Sequence, residues 1–148
     1  MNEANVKFPR QTWMAVLARA SRGDLDAICA TIAVPAHEVL KAPEVGSVMI
    51  EGRAGGTGQR FNLGEAAVTR CVVRIDGGVM GHAYALGRDR AKAEIAAVFD
   101  AMLQVEPAGG PLYIAIAKLH SAQAAVRERT SRKAAATKVE FFTLVRGE

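Results

Sequence analysis

The chain has 148 residues, half of them apolar and 23% charged, a composition that excludes a disordered chain and fits one folded domain, 1–148. Aromatic residues make up only 5% and alanine about a fifth, so each core side chain buries little area and the chain gains from a partner's surface. The net charge of +4 permits an anionic partner without requiring one, and no apolar run approaches the ~18 residues of a membrane span.

Trp13, Val16, Leu17 and Ala20 fall at helical spacing within Gln11–Ala20 and predict an amphipathic helix. Asp24 is placed to cap a second helix, with Leu25, Ile28, Cys29 and Ile32 on one face. Ser47–Arg53 reads as a strand, followed by the glycine-rich turn Ala54–Gly58, and Phe61–Gly64 leads into the clearest strand, Ala66–Ile75. Asp76-Gly77-Gly78 signals a hairpin to a returning strand, Val79–Leu86. Asp89 is the candidate cap of a helix with Ile95, Val98, Phe99 and Met102 on one stripe. After the Pro107–Pro111 break a long helix runs from about Leu112 to Ala136, with an apolar seam of Leu112, Ile116, Leu119 and Val126. Val139–Leu144 predicts a short closing strand. The fold class is therefore α+β: an N-terminal helix pair, a small antiparallel sheet, a long C-terminal helix and a final strand.

Strand alternation assigns faces. A two-residue hairpin turn places Val68, Arg70, Val72 and Arg74 beside Gly81, Ala83 and Ala85, and puts His82 on the opposite face. A three-residue turn would break that pairing. Arg70 and Arg74 stand ~13 Å apart along the strand. Their face reads as a solvated surface with salt bridges, a protein interface, or a small-anion site.

The loop Gly52–Gly58, with Arg53 and Thr57, is either a plain turn or a cradle offering backbone N–H groups to a phosphate. It lacks the Lys-Ser/Thr pair of a P-loop, and a strand follows it. His82 is a core or interface histidine, or a catalytic base. Glu65 can join Thr69 and Arg70 in a hydrogen-bonded cluster. Cys29 and Cys71 belong to no CxxC or Cys/His cluster, so no metal site is expected. Lone cysteines and a polar Met1–Arg10 predict reduced thiols in a cytoplasmic protein. The helix pair has a helix-turn-helix outline, but Asp24–Val34 holds two aspartates and no basic residue, which argues against DNA.

The strings themselves resemble the PhnG family, the small subunit of the carbon–phosphorus lyase core complex. The matching runs are Arg10–Ala18, Pro43–Met49, Gly52–Gly58, Phe61–Glu65 through Thr69-Arg70-Cys71, Gly81–Tyr84, Gly87-Arg88-Asp89 and Val139–Thr143. They occur in the family's order across nearly the whole chain. Ala67 and Ala85 are smaller than the pattern, and the stretch between Val34 and Pro43 and the long helix match loosely.

The resemblance implies a role in phosphonate use. Members join the PhnH, PhnI and PhnJ proteins in a two-fold assembly with two copies of this chain, and act with PhnL. That complex forms ribose 1-methylphosphonate 5-triphosphate from ATP and methylphosphonate, releasing adenine. The chain itself would be an accessory subunit with no cofactor of its own, ATP being the complex's substrate. Arg53, Thr57, Arg70, Arg74 and Arg88 would then face partners or an anionic substrate. An active-site contribution from Arg53, Thr57, Glu65 and His82 is the alternative, and a small DNA-binding regulator a more distant one. Neither a nucleic acid nor a membrane is an expected partner.

Overall fold

The computed structural model describes residues 7–138. The expected strand at Val139–Leu144 lies outside them. Helix α1 (Arg10–Arg19) and helix α2 (Arg22–Cys29) open the chain. Trp13, Val16, Leu17 and Ala20 are all buried, as their spacing requires. The cap of α2 differs from expectation: Ser21 is the N-cap, its hydroxyl accepting from the Asp24 backbone N–H. Asp24 is the reciprocal partner in a capping box, accepting from the Ser21 N–H.

Three antiparallel strands follow in the order β1-β2-β3: His37–Arg53, Arg60–Ile75 and Met80–Leu86. Strand β1 begins ten residues earlier than Ser47. Pairing with β2 carries this polar stretch into the sheet despite Pro43. The proline lies where the register shifts between Lys41 and Glu44, on an edge strand that tolerates its missing N–H. Strand β2 likewise runs unbroken through Phe61–Gly64.

The hairpin between β2 and β3 corrects the face assignment. Ile75 N donates to Val79 O at 3.0 Å, leaving the three residues Asp76, Gly77 and Gly78 in the turn, with both glycines at positive φ. Arg70 therefore stands opposite Tyr84, Val72 opposite His82 and Arg74 opposite Met80. The small residues Gly81, Ala83 and Ala85 lie with Thr69, Cys71 and Val73 on the buried face.

Helix α3 (Arg90–Val105) covers that face. Asp89 caps it as expected, accepting from Lys92 N at 3.0 Å. The helix is buried more widely than a single stripe. Val98 and Phe99 are enclosed and Ile95 and Met102 are half-buried, while Ala93, Ala97 and Ala101 form a further buried row at i, i+4, i+8. A Cβ on Gly81 would lie 1.9 Å from Ala97 O and 2.8 Å from Ala101 N. So the surface that the small strand residues admit is the chain's own helix. Gly81→Ala is expected to cost at least about 1–3 kcal/mol, because the clash is with backbone and helix and sheet must separate. Urea unfolding measures this, and unchanged stability would show that the two layers part freely.

Helices α1 and α2 pack on α3, and α4 (Pro111–Ala136) packs on α1 and α3. Lys92 Nζ donates to Ala18 O at 2.8 Å, tying α3 to the C-terminal turn of α1. Glu106 accepts from Leu112 N and Tyr113 N, satisfying the start of α4. Leu112 and Ile116 are buried and Leu119 half-buried, but Val126 is exposed, so the second half of α4 leaves the body.

Candidate functional site

Two features follow from this layering. The sheet face opposite α3 carries no helix, and β1 and β2 run beyond the helices as a two-stranded arm. From Ser47 to Arg53, and across from them at Arg60 to Ala67, no side chain is fully buried. Met49 and Leu63 are each 62% exposed, with Ile50 and Phe61 also exposed. A two-stranded ribbon alone in water is marginal, and apolar side chains along it call for a covering surface. On the helix-free face the apolar positions continue into Tyr84, Leu86 and Met80, all exposed.

The arm is irregular where β2 carries one extra residue, Leu63, between the pairs Ile50–Gly64 and Glu51–Asn62. The side chain of Leu63 lies over Gly52, where an added Cβ would come within 2.8 Å of Leu63 Cδ1. At the far end the last pair is Arg53 opposite Arg60. The turn above it uses Gly55 and Gly56 at positive φ, and Gly58 N donates to Ala54 O at 2.8 Å.

The cationic candidates separate into three places. Arg53 and Thr57 are at the arm's tip, about 30 Å along β1 from the pair Glu44–Arg70 by the rise per residue. Arg70 and Arg74 are on the helix-free face, together with His82. Arg70 is 3.6 Å from Glu44 and Arg74 3.7 Å from Glu38. These are exposed ion pairs of the kind worth ~0–1 kcal/mol each. Arg88 borders a recess with Arg22, Val45 and Arg90 at the start of α3.

His82 is an exposed ring on the same side as the arginines, not on the opposite face. Glu65 lies opposite Met49 on the arm. The cluster of Glu65 with Thr69 and Arg70 does not form: Thr69 Oγ1 donates to Gly87 O at 2.8 Å, and Arg70 turns to Glu44.

Residue-by-residue reading missed Asp100. Its carboxylate is fully buried and accepts from Arg10 Nε and Nη2, Trp13 Nε1, the His82 backbone N–H and Gln104 Nε2. The hydrogen bond from Arg10, with the carboxylate's charge, holds that guanidinium's pKa above its ordinary value, against a smaller lowering by burial. An acid beside Val98, Phe99 and Met102 was the available signal. One carboxylate thereby joins α1, α3 and the backbone of β3.

The sequence pattern of the family described as phosphonate metabolism protein PhnG matches residues 8–147. The chain belongs to the PhnG family. It is also 41% identical over 144 residues to a Rhizobium meliloti (strain 1021) protein, covering 94% of this chain and 90% of that one. That relative is named alpha-D-ribose 1-methylphosphonate 5-triphosphate synthase subunit PhnG.

The groups that this PhnG-family chain presents on the helix-free face and the arm are arginines and apolar side chains. Among the described residues no thiol or serine or threonine hydroxyl is hydrogen-bonded to a histidine. His37 is bonded to Glu94 at 2.9 Å, at the edge of an apolar recess of about 200 Å³ that Cys29 also lines. Burial, with Asp26 nearby, raises the Cys29 pKa. Burial, with Glu94 nearby, pushes Cys71 up to about 11. Both are thiols at neutral pH and poor nucleophiles. No group of three or more His, Cys, Asp or Glu among the described residues is arranged to hold a metal. No described helix is long and apolar enough to cross a membrane.

The Cys71 shift makes stability depend on pH. A thiol whose pKa is raised on folding keeps its full contribution below the ordinary value of 9.0, and loses it as pH rises toward about 11. The expected loss across that window is about 2–3 kcal/mol. Denaturant unfolding of the isolated chain between pH 8 and 11 reads it, and Cys71→Ala should flatten that part of the profile.

Proposed function

We propose that this chain is an accessory subunit of an alpha-D-ribose 1-methylphosphonate 5-triphosphate synthase, the activity carried in the name of the Rhizobium meliloti relative. The observation that carries the reading is the uncovered apolar surface, the helix-free sheet face running out into the arm. A subunit completed by its neighbours needs such a surface. The partners in this reading are PhnH, PhnI and PhnJ, with PhnL in the synthase step, in a cytoplasmic two-fold assembly holding two copies of this chain. Methylphosphonate displaces adenine from ATP at a site whose main catalytic groups belong to those partners.

The test is adenine release from ATP plus methylphosphonate by PhnH, PhnI and PhnL, with and without this chain. Product that forms only when the chain is present supports the subunit role. Undiminished product without it overturns that role.

A further inference from the structure

We infer that the tip of the β1–β2 arm enters a ligand site on a partner subunit, where Arg53 and Arg60 grip a phosphate- or phosphonate-bearing ligand. This rests on the subunit reading above and adds to it a point of contact with the chemistry.

The last rung of the arm sets Arg53 directly opposite Arg60. Like charges facing each other across an antiparallel pair repel, and strands ordinarily place opposite charges there. Arg53 has no ion-pair partner among the described residues. Arg60 has Glu51 at 4.0 Å, with both side chains more than half exposed, so the repulsion is only weakly offset. A local rule broken at an exposed position points to use rather than to folding. An anion between the two guanidinium groups removes the repulsion and matches their planar forks.

The turn beyond this rung keeps the approach open. A Cβ on Gly55 or Gly56 would meet nothing within 4 Å, so these positions face free space, and their positive φ favours glycine. Between Ala54 and Gln59, Thr57 is the one residue that is not glycine. The crown is therefore almost bare backbone with an arginine at each side.

The shaft identifies the host. Behind the arginines come Phe61, Leu63, Ile50 and Met49, all exposed, with the exposed polar residues Glu51, Asn62 and Glu65 interleaved among them. Phe61, Leu63 and Ile50 gather on one side of the shaft, and an apolar side behind a cationic point fits a groove with an apolar wall leading to a bound anion. A membrane surface would require the reverse order, with apolar residues leading and cations held at the headgroups. Two arginines in open water would hold an anion weakly, whereas a desolvated site strengthens the same contacts.

The experiment uses the reconstituted synthase with Arg53→Ala/Arg60→Ala and Arg53→Lys/Arg60→Lys chains. Co-purification reads assembly, and adenine release reads turnover with ATP and methylphosphonate varied separately. The alanine pair is expected to assemble normally and to lose turnover by about tenfold or more, the loss of at least one charge-assisted contact. The lysine pair should fall between, because charge is kept and the fork is lost. Thermal unfolding of the isolated alanine variant should match or exceed the wild type, since a repulsion has been removed. Normal turnover in an assembled alanine variant overturns the tip contact while leaving the subunit role standing. Failure of that variant to assemble also overturns it, by making the arginines an assembly contact. If omitting the chain leaves turnover intact, the subunit reading falls and the tip contact with it.

Discussion

Replacing Asp100 by alanine is expected to destabilise the isolated chain by about 2–5 kcal/mol, the cost of leaving the donors gathered on this buried carboxylate without their acceptor. The carboxylate is wholly enclosed, and its donors come from three elements: Arg10 and Trp13 of α1, Gln104 of α3 and the backbone of His82 in β3. Alanine leaves the Trp13 indole N–H and the His82 N–H without an acceptor, and each orphaned buried donor costs about 1–3 kcal/mol. Asp100→Asn keeps the volume and one oxygen, so it should lose less. Denaturant unfolding monitored at Trp13, the only tryptophan, reports directly on the knot. A loss below about 1 kcal/mol for the alanine variant would mean that the donors find other acceptors and the three elements are not joined here.

The second large effect is on assembly. A Phe61→Asp/Leu63→Asp chain is expected to bind its partner subunits at least about 30-fold more weakly, the effect of losing one interface hot spot. Both side chains are exposed in the isolated chain, so its own stability should stay within about 0.5 kcal/mol. Unfolding of the purified variant and co-purification with the partners separate the two quantities. Wild-type binding would place the arm outside the interface.

The parts of the fold that were legible are those whose residues answer to local rules. Trp13, Val16, Leu17 and Ala20 report a helix face because burial follows the helical period. Asp89 reads as a cap because its side chain serves a backbone N–H three residues on. The hairpin at Asp76-Gly77-Gly78 was visible as a turn, but its length was not. One residue more in the loop exchanges every cross-strand neighbour, which is why His82 joins the arginines and Gly81 meets α3.

The candidate site divides in the same way. Arg53 and Thr57 stood out beside a glycine-rich loop. Arg60 did not, since its significance comes only from being opposite Arg53. Asp100 stayed hidden because a carboxylate on a helix normally faces water, and nothing local announces donors 87 to 90 positions away in the chain.

The sequential order β1-β2-β3 has a consequence for how this protein can change. The arm is the free end of a hairpin, so residues added or removed there disturb none of the helix contacts. Adding two residues to each strand extends its reach by about 7 Å and returns every side chain to its original face. Adding one would turn the apolar side of everything beyond the insertion toward the wrong wall. Reach is thus adjustable in even steps, and a partner's depth can drift over time while the small alanine-lined body stays as it is.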